Sequence, residues 1–174
     1  DVCDYALVVA RTKAHTEVTR KTDGFTIFVV DLNAKGVERH PVNINLPIPE
    51  TQFTIFFDEV DLGLENVIGQ VDKGFDILFD SLNPERILVA ALCCGLGRFA
   101  LEKAVAYASE REVFDVPIGS HQGVQHPLAA AKTQVEMASR MMRQAAWQYD
   151  QGLPAGEASN MAKYAGAEAG IQAV

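Results

Sequence analysis

Residues 83–98 read NPERILVAALCCGLGR, and this stretch decides the fold. From Val71 onward β-branched residues thin out, Ala becomes common, and the apolar period lengthens from two toward 3.6, which signals helices. Within that region the longest apolar run, Ile87 to Leu96, is bracketed by Arg86 and Arg98. It falls well short of the roughly 20 residues needed to cross a bilayer, so it reads as a buried helix. Asn83-Pro84 can cap a new helix with Pro at its first position or kink a continuous one. We read one kinked helix from near Gly74 to about Ser109. Gly95-Leu96-Gly97 falls in its middle, where glycines commonly serve close helix packing.

Upstream, Tyr5 to Arg11, Gly24 to Leu32, Val37 to Asn43 and Gln52 to Val60 are rich in Val, Ile, Phe and Thr, with turn residues between them. These predict four strands. Asp23-Gly24 supplies a turn to join the first two, and Pro41, Pro47 and Pro49 restrict the third to an edge or a bulge. Downstream, the turn from Gly119 to Gln122 leads into a second helix running to about Tyr149. Its residues Val124, Leu128, Ala131, Val135, Ala138, Met142 and Ala145 step by threes and fours, the seam of a helix packed nearly antiparallel to a neighbour. A loop from Asp150 to Ala155 precedes a third helix that reaches Val174. The fold class is therefore α+β, a β-barrel-like or sandwich segment over residues 1–70 followed by an antiparallel helical bundle over 71–174. Asp1 rather than Met opens the chain, and no Gly or polar cap follows the last helix. The expectation is a piece of a longer polypeptide.

The 174 residues are 48% apolar and 22% charged, the balance of a chain that folds around a core. A net charge of −8 repels phosphate backbones and argues against nucleic acid as a partner. The odd cysteine count, Cys3 and the neighbours Cys93 and Cys94, has no C-x-x-C spacing and fits a reducing compartment. The scattered His15, His40, His121 and His126 lack metal-site spacing, and no P-loop, G-x-S-x-G or G-x-G-x-x-G occurs. No export signal is visible.

Two clusters could carry chemistry. Glu85-Arg86 opens a strongly apolar stretch, where burial would raise the pKa of Glu85 toward neutrality and suit it to act as a general base. Equally, Glu85 can be a first-turn acid favoured by the helix dipole, with Arg86 as its structural partner. The second cluster, Arg111, Phe114, Pro117 and Gln122, places a permanent cation, an aromatic ring and an amide in a turn between apolar helices. Such a set can grip a phosphate and a flat ring, or Arg111 can simply meet the last carbonyls of its helix. Glu85 and Arg111 are roughly 39 Å apart along a helix rising 1.5 Å per residue, so they cannot serve one small site in one chain. If both are functional, an oligomer is the simplest arrangement.

The order of these segments resembles the acyl-CoA dehydrogenase family, from late in its middle β domain into its C-terminal helical domain. The resemblance rests on Glu65-Asn66-Val67-Ile68-Gly69, Gly74-Phe75, Asn83-Pro84-Glu85-Arg86, Ala108-Ser109-Glu110-Arg111, Phe114 to Gly119, Gln122 and Met161-Ala162-Lys163. It implies FAD-dependent α,β-dehydrogenation of an acyl-CoA thioester to a trans-2-enoyl-CoA, a step of fatty acid β-oxidation. Family members with their base in this helix, such as the isovaleryl and long-chain enzymes, carry it at the position of Glu85; others place it in a C-terminal segment. The resemblance further assigns Arg111 to the FAD pyrophosphate of an adjacent subunit and sets Phe114 and Gln122 along the same cofactor. Asn83, Arg86 and Tyr107 fall near the acyl-CoA. Asp115 stands where a glycine is most common. A homotetramer built as a dimer of dimers, an electron-transfer flavoprotein as acceptor, and a bacterial cytoplasmic or mitochondrial matrix location are also implied. The competing readings are an acyl-CoA oxidase and a non-catalytic helical interaction module.

Overall fold

The computed structural model describes residues 3–45 and 51–174. They form two compact units, Asp1–Leu78 and Phe79–Val174, with the division inside the first long helix. Pro47 and Pro49 lie outside the described residues.

In the first unit, β1 (Tyr5–Arg11) pairs antiparallel with β2 (Phe25–Asp31), running from Tyr5 opposite Asp31 to Arg11 opposite Phe25. β2 also pairs with β5 (Val67–Ile68), so β2 is the central strand of a three-stranded sheet. Central position explains its composition: Thr26, Ile27 and Val30 are buried, and β-branched side chains fill such a pleated surface well. β3 (Val37–Val42) and β4 (Gln52–Phe57) form a separate two-stranded sheet. Pro41 sits opposite Phe53 in a strand with one neighbour, where its missing N–H costs no second ladder. The Asp23-Gly24 expectation needs correction. The connection from β1 to β2 is long, with a 3₁₀ turn at His15–Glu17, and Gly24 closes it at φ +77°. Its carbonyl accepts the N–H groups of Thr12 and Lys13.

A polar knot around the buried Thr26 ties this unit together. The Thr26 hydroxyl accepts the backbone N–H of Asp72 at 2.8 Å and shares a hydrogen bond with the Thr12 hydroxyl, also at 2.8 Å. Thr12 donates to the Asp72 carboxylate at 2.6 Å, and Lys13 pairs with its other oxygen at 2.8 Å. Those two contacts hold the Asp72 carboxyl below the usual carboxylate range, the Lys13 hydrogen bond foremost.

Helix α1 (Gly74–Glu110) is continuous through Pro84, as the sequence suggested. Proline has no N–H to give the carbonyl four residues back, here Asp80. The Tyr149 hydroxyl donates to that carbonyl instead, at 3.4 Å. α2 (Gln122–Asp150) and α3 (Gly156–Ala173) complete the helical unit. Contacts pairing Asp80 with Tyr149, Arg98 with Ser139 and Ala108 with Gly119 show α2 running antiparallel to α1. The α2 seam faces inward: Ala131, Val135, Ala138 and Ala145 are buried, joined by Ser139.

α3 runs parallel to α1 and approaches it through small residues. A Cβ at Gly166 would stand 3.1 Å from the Cα and carbonyl oxygen of Ala90, and one at Gly170 would meet the Cys93 carbonyl. Gly97 faces Val135 equally tightly, whereas Gly95 faces open space. Close packing thus accounts for one of the two mid-helix glycines.

The reading of Ile87 to Leu96 as a buried helix holds for one face only. Ala90 and Cys94 face the core, while Leu88, Leu92 and Leu96 are exposed. Because nearly every position is apolar, the 3.6-residue period that separates the faces leaves no trace in the sequence. No helix among the described residues is long and apolar enough to cross a membrane.

Candidate functional site

The seven candidate residues fall at two ends of α1. Asn83, Glu85 and Arg86 sit one turn around Pro84. The Arg86 guanidinium donates to the Asn83 side-chain oxygen at 3.4 Å and lies 5.2 Å from the centre of the Phe79 ring. Arg86 is therefore held by Asn83 and Phe79 rather than by Glu85, which corrects the expected partnership. Glu85 is exposed and has no ion-pair partner among the described residues. The burial expected of it is absent, because its position on the helix points away from the face that meets α3. What remains is an exposed carboxylate beside a cation already engaged.

At the other end, α1 stops at Glu110 and the chain folds into a hairpin of β6 (Glu112–Val113) and β7 (Val116–Pro117). Arg111 enters it with its N–H donated to the Tyr107 carbonyl at 2.9 Å and its own carbonyl accepting Ile118 N–H at 2.8 Å. The turn residues Phe114 and Asp115 have φ of +55° and +61°. Two successive left-handed residues match a two-residue hairpin turn, which normally takes Asn-Gly. Asp tolerates that region; for Phe it costs on the order of 1 kcal/mol. The Phe114 ring lies outside, 88% exposed. Gln122 is the first residue of α2, just past a 3₁₀ turn at Ile118–Ser120, and it too is exposed.

The hairpin turn holds neither Gly nor Asn, so its strands are signalled in the sequence only by two valines flanking a two-residue loop. Tyr107 stands one turn before Arg111, about 36 Å along α1 from Asn83. Within one chain, those two side chains do not flank a common small site. Arg111 has no ion-pair partner among the described residues. A free guanidinium, an exposed ring and an amide at a helix start fit a phosphate-bearing aromatic cofactor approached from outside, with each group facing away from its own chain.

A cross-helix network that the sequence did not single out lies midway along α1. Arg98 donates to the buried Ser139 hydroxyl at 2.8 Å and reaches Glu136 at 3.4 Å, and Lys132 pairs with Glu136 at 3.0 Å. The hydrogen bond and charge of Lys132, seconded by Arg98, hold the Glu136 carboxyl below its ordinary value. These partners fix the register of α1 against α2.

Residues 72–174 match the family model described as acyl-CoA dehydrogenase, C-terminal domain. Over its whole length the chain is 45% identical to acyl-CoA dehydrogenase FadE12 of Mycobacterium tuberculosis, covering 45% of that protein. It is 30% identical to CarC, a subunit of the caffeyl-CoA reductase-Etf complex of Acetobacterium woodii, over 96% of this chain and 43% of the relative. Among solved structures, an FAD-dependent dehydrogenase superposes with a TM-score of 0.87 at 28% identity, over 99% of this chain and 46% of the other. The chain spans less than half the length of these relatives. Fold, motif order and the match over more than half of the residues agree: the chain belongs to the acyl-CoA dehydrogenase family.

Proposed function

We propose that this chain serves the FAD-dependent dehydrogenation of an acyl-CoA thioester to a trans-2-enoyl-CoA. The observation that carries the reading is Glu85, an accessible carboxylate one residue ahead of an arginine whose guanidinium is tied to Asn83 and Phe79. FAD, when bound, takes up the hydride from the substrate β-carbon. Glu85 accepts the α-proton on a carboxylate oxygen, and Arg86, fixed by its partners, supplies positive potential near the thioester while Asn83 shapes the approach. Arg111, Phe114 and Gln122 project from the far end of α1 toward the cofactor of an adjacent copy, in a dimer of dimers. Tyr107, on the same end, lines the acyl-CoA of that neighbouring site. The names of the relatives support FAD as cofactor and an electron-transfer flavoprotein as acceptor. Residues 1–70 are then the later part of a middle β domain and 71–174 the helical domain, and β-oxidation is the setting.

The test is anaerobic bleaching of the flavin absorption band by acyl-CoA thioesters, on the native polypeptide that carries these residues. Glu85→Gln is expected to keep FAD and slow bleaching by about 10²-fold or more, the usual share of a positioned base. Unchanged bleaching would place the base elsewhere.

A further inference from the structure

Pro84 stands inside α1, and with no N–H it leaves the Asp80 carbonyl without the helical donor one turn on. The donor that carbonyl finds comes from another helix: the Tyr149 hydroxyl, in the last turn of α2, at 3.4 Å. Asp80 begins the stretch of α1 that carries Asn83, Glu85 and Arg86.

The start of α3 meets the same stretch. At Gly156, its first residue, an added Cβ would stand 3.9 Å from the side-chain nitrogen of Asn83 and 4.0 Å from its oxygen. Asn83 in turn accepts a hydrogen bond from Arg86, whose guanidinium lies beside the Phe79 ring. Both sides of the α2–α3 connection therefore touch the turn that bears the proposed base. Glu85 makes no ion pair among the described residues, so no opposite charge fixes its carboxylate and the backbone beneath it matters more.

Asp80 and Tyr149 are both exposed. An exposed carbonyl takes an equivalent hydrogen bond from water, so the Tyr149 hydroxyl adds little to stability. What water does not supply is direction: a donor anchored on α2 fixes where the Asp80 carbonyl and the peptide planes after it face. Rates depend steeply on such placement, about 10²-fold for 1 Å at a reacting group.

We propose that Tyr149 is a positioning residue for proton abstraction, setting through the Asp80 carbonyl the orientation of the α1 turn that carries Glu85. The inference rests on the reading of Glu85 as the base and adds the residue that aims it.

The test is a double-mutant cycle in the native polypeptide that carries these residues, with FAD bound. Tyr149→Phe removes only the hydroxyl. It should slow the limiting rate of anaerobic flavin bleaching roughly three- to tenfold, while FAD content, thermal midpoint and the acyl-CoA concentration giving half the limiting rate stay unchanged. Pro84→Ala gives position 84 an N–H that reaches the Asp80 carbonyl from within α1. In that background Tyr149→Phe should change the rate by less than about twofold. Amide exchange followed by peptide mass spectrometry reads the same linkage without the chemistry: residues 85–88 should exchange faster in Tyr149→Phe, and the Pro84→Ala background should abolish the difference. Equal slowing in both backgrounds would show Tyr149 acting elsewhere, and faster exchange with an unchanged bleaching rate would show the hydrogen bond serving the helix alone; either overturns the proposal. Unslowed bleaching by Glu85→Gln fells the reading of the base and this inference with it, whereas unslowed bleaching by Tyr149→Phe fells this inference alone.

Discussion

Among the described residues of Asp1–Leu78 the largest fully buried side chains are Val30 and Thr26, the second engaged in a polar knot. In Phe79–Val174 they are Val135, Cys94, Ser139 and Ser159, with alanines and glycines between. The strand-rich unit fills its interior with β-branched side chains and a hydroxyl that must find partners. The helical unit brings backbones together over small residues and leaves Leu88, Leu92, Leu96 and Phe99 outside. The first kind of interior is vulnerable to a lost hydrogen bond, the second to added volume.

Substitutions can break that contrast, and the largest effect belongs to the helical unit. Gly166→Leu must push its side chain into the Ala90 backbone, which cannot yield as a flexible side chain would. A loss of about 3 kcal/mol is expected from overpacking, read as a fall in the denaturation midpoint of α2 amides by hydrogen exchange. An unaffected midpoint would mean that α1 and α3 are not in close contact. Thr26→Val keeps the volume and removes the acceptor for Asp72 N–H; about 2 kcal/mol should be lost, confined to exchange of β2 amides.

Acidification sharpens the contrast by location rather than by sign. Asp72 and Glu136 both have folded-state pKa values held down, by Lys13 and Thr12 in one unit and by Lys132 and Arg98 in the other. A depressed carboxylate stabilises at pH above its unfolded value, near 4, and that contribution disappears as pH falls through the folded value. Both units should therefore weaken below about pH 4. Asp72→Asn should flatten that dependence for β2 amides alone, and Glu136→Gln for α2 amides alone; crossed effects would contradict the division into two units. The smallest change is Ser159→Ala. The Ser159 hydroxyl is buried without a hydrogen-bond partner among the described residues, so its removal should leave stability unchanged or raise it by up to about 1 kcal/mol. A clear loss in thermal denaturation would reveal a partner for that oxygen.

Much of this architecture was legible in the sequence because period and punctuation agreed. The four strands appear where Val, Ile, Phe and Thr cluster, and the α2 seam faces inward because its polar residues occupy the other side. The outward face of α1 was illegible for the opposite reason: Ile87 to Leu96 is apolar on every side, so nothing distinguishes Leu92 from Cys94. The Phe114-Asp115 hairpin was hidden because its residues are not those that favour a left-handed turn. At the candidate site, residue types and their separation along one helix could be read directly. That Arg86 turns to Asn83 and Phe79, and leaves Glu85 accessible, depends on side-chain directions that spacing does not specify.

The hydroxyl of Tyr149 on the Asp80 carbonyl has a mechanical meaning. Proline opened a gap in the hydrogen-bond ladder of α1, and the last turn of α2 reaches in to close it. The turn around Pro84 is thereby held from the side, a few residues from the loop that leads into α3. Force applied to that loop is delivered to the turn carrying Asn83, Glu85 and Arg86. Tyr149→Phe would cut the linkage without touching either helix's own packing, leaving the acid and its neighbouring cation on a softer mount.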